Sequence, residues 1–259
     1  MSALLAARKV TVLLRRLPGT YPLIDAIRKL SYGRGEVTVS DFDGSLRMQL
    51  DLAEHMASQI FWFGYYSRDL LQALDALLQS GDVFLDAGAN IGEVSLFAAK
   101  RVGPAGRVCA FEPLPDVAPK LRANVRLNGF RQVEIIEAGL GDRCGEEPIY
   151  MRPSAFDDGS RHDGLGTLYA SDERSRQAGT VRVTTLDQFV SERGGARVDG
   201  IKLDIEGAEL AALRGAASTI ERFRPWLIVE IGEDTCRAAG YEPLAIFDFL
   251  DEFGYEYRR

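Results

Sequence analysis

Residues that build disulfide frameworks and histidine-based metal sites are scarce in this chain. Its 259 residues include three cysteines, Cys109, Cys144 and Cys236, which are widely spaced and form no CxxC pair. This usage is typical of a reducing compartment, and we expect a cytoplasmic protein without a structural metal. The two histidines, His55 and His162, are too few for a histidine-based metal site.

Long apolar runs are also missing. Basic residues interrupt the N-terminal stretch well before the roughly 20 residues that a bilayer-spanning helix needs, and no signal-peptide cleavage pattern follows. The hydrophobic fraction of 46% and the charged fraction of 27% are ordinary for a soluble globular protein. The length and composition therefore predict one large α/β domain with additions.

Charge is unevenly distributed along the chain. The net charge of −7 argues against nucleic acid as the main partner. Residues 1–35 nevertheless carry seven basic residues against one acid, a formal +6, so the remainder carries −13. Residues 1–17 predict an amphipathic helix whose apolar stripe is Ala3, Ala7, Val10, Leu14 and Leu17. Such a helix lies on an anionic membrane, packs on a partner subunit or docks on its own domain, and we favour the last.

The strongest pattern in the chain is a strand, a Gly-rich turn, a helix and a second strand that ends in an acid. Val83–Leu85 is a short apolar run typical of a buried parallel strand, and Asp86 leads from it into the turn. A helix is predicted from Glu93 to Lys100, and a second strand covers Arg107–Phe111 and ends in Glu112. This order is the plan of a nucleotide-binding βαβ unit.

The turn differs from that of a dinucleotide site. Its string is D-x-G-x-N-x-G, with Asn90 where a second glycine is required. Asp86 would repel a pyrophosphate but suits a cationic ammonium group, and Glu112 can accept both hydroxyls of a ribose. A ligand with an ammonium, a carboxylate and a ribose describes S-adenosylmethionine. The alternative is a purely structural turn in another doubly wound protein.

Residues 1–80 are predicted to form helices, a hairpin and an aromatic segment packed on the core domain. Tyr21–Leu30 is a second short helix, and Glu36–Ser40 and Leu46–Leu50 alternate around an Asp-Gly turn, which favours a hairpin. The aromatic residues of segment 61–66 are expected to serve packing first and a lid over the cofactor second.

The core domain is predicted over 81–259, with an irregular insertion at 143–180. Ligands of doubly wound sheets bind at the carboxyl ends of the strands, which places Gly139–Asp142 beside the adenine. Leu140 and the carboxylate of Asp142 are therefore candidate cofactor contacts, although a solvated turn explains Asp142 equally well. Long irregular insertions at this edge are often functional, and we interpret this one as a substrate-side flap, with a surface loop as the alternative.

Three acids crowd the end of the strand predicted at Ile201–Ile205. They are Asp204, Glu206 and Glu209. Glu209 lies one turn into the next helix, where it can simply satisfy the helix dipole, and Glu206 can cap that helix. A carboxylate within an apolar strand needs water, a partner or a substrate, so Asp204 is the strongest candidate for a functional role.

Four strings in this order resemble the FkbM-type S-adenosylmethionine-dependent methyltransferases. They are VFLDAGANIGEVS, CAFEP, VTTLDQFV and IKLDIEGAE. The resemblance covers about residues 45–255 and implies a Rossmann-like, doubly wound methyltransferase fold that methylates a hydroxyl of a sugar or a polyketide-type small molecule. Carried over by position, the cofactor residues are Asp86, Gly88, Ala89, Asn90, Gly92, Glu112 and Pro113. Asp204 and Glu206 border the acceptor.

The sequence departs from that family in two places. The segment Gly64–Ser67 lacks the acid that tends to follow there, and the chain stops at Gly254–Arg259, where a final hairpin would begin. The last strand of the usual seven is therefore predicted to be missing. A bare edge strand is unfavourable, so we expect either a trimmed C-terminus or a second chain over this edge, as in a homo-oligomer.

The sulfonium of the cofactor is already electrophilic, so the protein must align an acceptor oxygen and remove its proton. Asp204 is the first candidate for the general base and Glu206 the second. Activation by a divalent cation held by the clustered acids is a weaker alternative. Methylation of nucleic acid or protein, and a non-catalytic cofactor-binding interaction module, are the competing functions.

Overall fold

The protein is built from eleven helices and eleven strands within the residues that the structure describes. The structure is a computed structural model and describes residues 2–15, 17–30, 35–151, 164, 166–170 and 176–258. His162 and part of the predicted insertion lie outside these residues. The helices are α1 (Ser2–Leu14), α2 (Tyr21–Leu30), α3 (His55–Phe63), α4 (Arg68–Leu77), α5 (Glu93–Val102), α6 (Ala118–Leu127), α7 (Leu186–Glu192), α8 (Glu209–Arg214), α9 (Ala217–Phe223), α10 (Glu233–Ala238) and α11 (Leu244–Glu252). The strands are β1 (Glu36–Phe42), β2 (Leu46–Asp51), β3 (Val83–Ala87), β4 (Arg107–Phe111), β5 (Val133–Ile136), β6 (Gly139–Leu140), β7 (Gly145–Met151), β8 (Gly166–Thr167), β9 (Arg176–Thr184), β10 (Gly200–Leu203) and β11 (Trp226–Val229).

The central sheet has five parallel strands in the order β11-β10-β3-β4-β5. From β3 the chain first winds outward through β4 and β5, and then returns to the other side of β3 to place β10 and β11. The strand order reverses between β3 and β10, which is where open α/β sheets bind their ligands. The predicted Rossmann-like, doubly wound fold is thereby confirmed.

Each face of this sheet carries its own hydrophobic core, because successive side chains of a strand point to opposite faces. Phe84 packs in one core with the N-terminal elements, α5 and α6, whereas Leu85 packs in the other with α7, α8, α9 and α11. Phe84 is fully buried and stacks on Trp226, with 5.4 Å between the ring centroids. Helices thus cover both faces of the sheet.

The N-terminal elements follow the predicted pattern with one correction. The hairpin of β1 and β2 turns at Asp43 and Gly44, whose φ angles of 44° and 83° are left-handed. Of the stripe predicted for residues 1–17, Ala7 and Leu14 pack against the core, whereas Val10 and Leu17 are more than half exposed. Arg8 is buried instead, because it pairs with Asp41 and donates to the Ile60 and Phe61 carbonyls of α3.

Two further features surround the carboxyl edge of the sheet. The helical segment after β10 is divided into α8 and α9 at Gly215, where a Cβ atom would lie 2.0 Å from the Gly141 carbonyl oxygen. In the insertion, β7 and β9 form an antiparallel pair, from Gly145 opposite Val183 to Met151 opposite Arg176. Within the described part of the chain, no helix is long and apolar enough to span a bilayer.

Candidate active site

A cavity opens at the carboxyl edge of the central sheet, at the reversal between β3 and β10. Most of the predicted site residues line it, namely Gly88, Ala89, Asn90, Glu112, Pro113, Leu140, Asp204 and Glu206. Asp86, Gly92 and Asp142 do not line it. Asp142 is an exposed turn residue whose nearest basic partner is Arg143, and Gly92 has a φ of 100° at the start of α5.

The Gly-rich turn passes against the backbone that follows β10. A Cβ atom on Gly88 would lie 1.9 Å from the Asp204 carbonyl oxygen, and the φ of Gly88 is +77°. Only glycine combines that angle with such a close approach. The turn is also fixed to β4, because the N–H groups of Gly88 and Ala89 both donate to the Phe111 carbonyl. The turn and the acid-bearing loop therefore form one rigid wall of the cavity.

Glu112 is almost completely buried at the end of β4. Its carboxylate accepts hydrogen bonds from the Asn90 and Leu114 N–H groups, each at 2.9 Å. Burial raises the pKa of Glu112 to about 7, against the opposing effect of these two hydrogen bonds. The side chain thus holds the turn in place while it presents a carboxyl group to the cavity.

Asp86 reaches the cavity only indirectly. The sequence predicts a direct contact with the cofactor ammonium group, but the structure buries this carboxylate completely between Ser95 Oγ at 2.6 Å and Lys202 Nζ at 3.2 Å. The physical reason is register, since Asp86 and Lys202 stand opposite each other on paired strands.

Lys202 connects this buried acid to the turn and to the acceptor end of the cavity. Its Nζ donates to the Ala87 and Gly88 carbonyls at 3.1 and 2.8 Å and lies 3.4 Å from Asp204 Oδ2. Burial alone would lower the pKa of Lys202, but Asp204 and Asp86 outweigh it and hold the pKa above its ordinary value. The lysine is therefore a permanent cation within the wall.

Three carboxyl groups meet beyond Lys202. Asp204 and Glu206 follow β10, Glu230 follows β11, and their oxygens lie within 4.8 Å of one another. Burial acts to raise the pKa of Asp204, but the charge of Lys202 and a hydrogen bond with Glu230 outweigh it, so the pKa is lowered. The hydrogen bond to Asp204, together with burial, raises the pKa of Glu230 to about 9.

Glu209 is separate from this group. Its carboxylate accepts from the N–H groups of Ile205 and Gly207 at 2.9 Å, and it is buried. It therefore supports the loop before α8, and it is the first residue of that helix, whereas the sequence predicted it one turn into the helix. Glu230 takes its place in the acid cluster. The sequence does show an acid, Glu230, at the end of the strand after β10. Its proximity to Asp204 follows only once β10 and β11 are known to be neighbours.

The opposite wall comes from the segment between α3 and α4 and from the insertion. Tyr66 lines the cavity, and Glu93 of α5 holds this segment by accepting from the Tyr66 and Ser67 N–H groups. Burial and nearby acids raise the pKa of Tyr66 to about 12, so its hydroxyl stays neutral. Apolar side chains also line the cavity, which are Met56, Leu70, Leu114, Ile149 and Leu168.

A family comparison agrees with this geometry. The model of the family described as Methyltransferase FkbM domain matches residues 86–257, which is most of the chain and contains the turn and all the acids above. The chain belongs to the FkbM methyltransferase family.

Individual relatives cover different shares of their own length. The AMB antimetabolite synthetase AmbE of Pseudomonas aeruginosa is 30% identical over 81% of this chain, which spans only 11% of that protein. The 31-O-demethyl-FK506 methyltransferase FkbM of Streptomyces tacrolimicus is 31% identical, over 53% of this chain and 60% of its own. The hexuronic acid methyltransferase AglP of Haloferax volcanii is 27% identical, over 71% of this chain and 68% of that protein.

Proposed function

We propose that this protein is an S-adenosylmethionine-dependent O-methyltransferase that acts on a hydroxyl of a sugar or polyketide-type small molecule. The observation that carries the proposal is one cavity, at the strand reversal, that joins the Gly-rich turn and Glu112 to the carboxylate of Asp204. Membership of the FkbM family supports methyl transfer. The names of two relatives, one a 31-O-demethyl-FK506 methyltransferase and one a hexuronic acid methyltransferase, support the acceptor class.

The charge of the cavity fits this cofactor. Among the described lining residues, Lys202 is the one basic side chain, against six acids. A sulfonium and an ammonium group are favoured in such a field, whereas a pyrophosphate is not. Gly88, Ala89 and Asn90 would hold the methionine part, with Asp86 acting through Lys202 to fix the turn. Glu112 and Pro113 would hold the ribose and Leu140 the adenine side, while Gly92 sets the start of α5.

The acceptor would enter from the side of the acid cluster. When bound, S-adenosylmethionine supplies a methyl group on a positively charged sulfur. The protein must hold the acceptor oxygen in line with that methyl and accept its proton as the new bond forms. The charge of Asp204, its side-chain exposure of 37% and its contact with Lys202 support it for this role. Glu206 is the second candidate for the base. Asp142 does not line the cavity, and we propose for it at most a contact with the edge of the cofactor's adenine.

Mass spectrometry with a panel of acceptors tests the activity. The protein is incubated with S-adenosylmethionine and with neutral sugars, uronic acids, macrolide alcohols, RNA and a protein mixture, with and without a chelator. A gain of one methyl on a small-molecule hydroxyl, unaffected by the chelator, is expected. Methylation confined to RNA or protein would replace the proposal, and cofactor binding without transfer to any acceptor would favour the interaction module.

Replacing Glu112 with glutamine is expected to weaken S-adenosylmethionine binding by about 1–3 kcal/mol, the cost of mispairing a buried polar group. The amide nitrogen cannot accept from the backbone N–H groups that the carboxylate serves, so both the turn and the ribose contact suffer. Calorimetry measures the change. Glu137→Gln is the matched control, because Glu137 directly follows the neighbouring strand β5 but is exposed. Equal affinities in both variants would contradict the role of Glu112.

The outer surface of α1 and α2 is proposed as a contact with an anionic membrane surface or a second copy of the chain, in a cytoplasmic protein. Its exposed apolar residues are Val10, Leu13, Leu17, Tyr21 and Leu23. Val10, Leu13 and Leu17 are replaced together with serine. If the surface binds a membrane, sedimentation with phosphatidylserine vesicles should be abolished; if it binds a second copy, the oligomer size in light scattering should fall. Cofactor affinity should not change in either case. If the substitutions change neither vesicle binding nor mass, α1 serves only to pack on α3.

A further inference from the structure

The carboxyl groups of Asp204 and Glu230 each bring an oxygen within 4.8 Å of the other at the acceptor end of the cavity. Two carboxyl groups that lie this close favour a state in which one of them carries a proton. The backbone enforces the contact. Leu203 and Val229 are aligned on paired strands, and the N–H of Glu230 donates to the Leu203 carbonyl at 2.8 Å. The two acids therefore leave adjacent strands side by side.

We propose that Asp204 and Glu230 act as a carboxyl dyad that shares one proton, with Glu230 as the partner that releases the acceptor's proton to solvent. This inference rests on the proposed function, because it takes Asp204 as the base. As the methyl carbon–sulfur bond breaks and the oxygen–methyl bond forms, the acceptor's O–H proton passes to Asp204. The dyad then holds two protons, and Glu230 gives one to water. The sulfonium becomes a thioether, and the dyad returns to its starting state.

The position of Glu230 suits this task. Asp204 faces the buried Lys202, whereas Glu230 is exposed at the rim. The charged groups around Glu230 are mainly negative, since Asp204, Glu206 and Glu209 all act to raise its pKa. The opposite side of the cavity contributes the neutral hydroxyl of Tyr66 and two further acids, Glu54 and Glu93. Excess negative charge is therefore what keeps one proton on the pair at neutral pH.

Infrared titration of the protein alone tests the dyad without any acceptor. The C=O band of a protonated carboxyl should persist at pH 7 and disappear as the pH passes about 9, the pKa of Glu230. Glu93 and Glu112, with pKa values of about 7, disappear earlier and are distinguished by pH. The C=O band that persists to about pH 9 should be lost in Glu230→Gln. It should also be lost in Asp204→Asn, because Glu230 ionises more easily beside a neutral amide. The control is Glu233→Gln, an exposed acid three residues after Glu230, which should keep the band. The proposal is overturned if this C=O band survives in both Glu230→Gln and Asp204→Asn. It is also overturned if the native protein shows no such band.

The kinetic test uses any acceptor found in the methylation panel. Turnover of the native protein should rise as the pH passes about 9, because the fully ionised dyad is the stronger base, and Glu230→Gln should lose this alkaline rise. A purely structural role would lower turnover equally at every pH. Retention of the rise in Glu230→Gln refutes the dyad. Failure of the native protein to methylate anything refutes the function instead, and leaves the infrared result as an independent measurement.

Discussion

Asp204→Asn is expected to lower turnover by about two to four powers of ten, the usual contribution of a general base. Asparagine keeps the size and hydrogen-bonding capacity of the side chain but cannot take the acceptor's proton. Lys202 keeps Asp86 as an ion-pair partner at 3.2 Å in this variant, so the buried lysine is not left without an anion. Methyl transfer to the identified acceptor, followed by mass spectrometry, gives the rate.

The same variant separates a base from a structural residue or a cofactor ligand. The affinity for S-adenosylmethionine and the melting temperature should change little, as in Asp234→Asn, an exposed acid of α10. Unfolding, or loss of cofactor affinity together with turnover, would show that Asp204 supports the fold or the cofactor. If turnover survives, Glu206 becomes the candidate base, and a chelator experiment should come next.

Local pattern was sufficient to predict the elements that carry the cofactor site. The strand Arg107–Phe111 and the helix Tyr21–Leu30 have their predicted bounds, because apolar runs and turn residues mark both ends. The turn from Gly88 onward was predictable because left-handed angles and close backbone contacts restrict the residues that fit. The acid at the end of β4 was equally visible.

Contacts between distant segments were not predictable from local pattern. The burial of Asp86 depends on its register opposite Lys202, and the pairing of Asp204 with Glu230 depends on β10 and β11 being neighbours. Arg8 shows the same limit. A basic residue on a helix is expected in solvent, but here carbonyl oxygens of α3 and Asp41 satisfy it in the interior. Periodicity indicates which side chains share a face, not what lies opposite.

Lys202→Met is expected to destabilise the protein by about 3–5 kcal/mol, the cost of removing one partner from a buried ion pair. Methionine keeps the unbranched shape of lysine, one atom shorter, but leaves the fully buried Asp86 without its cation. Urea unfolding measures the loss. Lys100→Met is the matched control, because Lys100 pairs with Asp43 at 3.0 Å while 38% exposed, and such surface pairs contribute about 0–1 kcal/mol.

The pH dependence of this variant identifies the cause. Without Lys202, Asp86 is a buried carboxylate with no cation beside it, and a proton on the carboxylate removes the unpaired charge. The deficit of Lys202→Met should therefore be smaller in acid than at pH 7. Adding Asp86→Asn should recover part of the stability at pH 7, because no buried charge is then left unpaired. A deficit that is independent of pH and unchanged by Asp86→Asn would mean that packing of the lysine side chain, and not its charge, holds this wall of the cavity together.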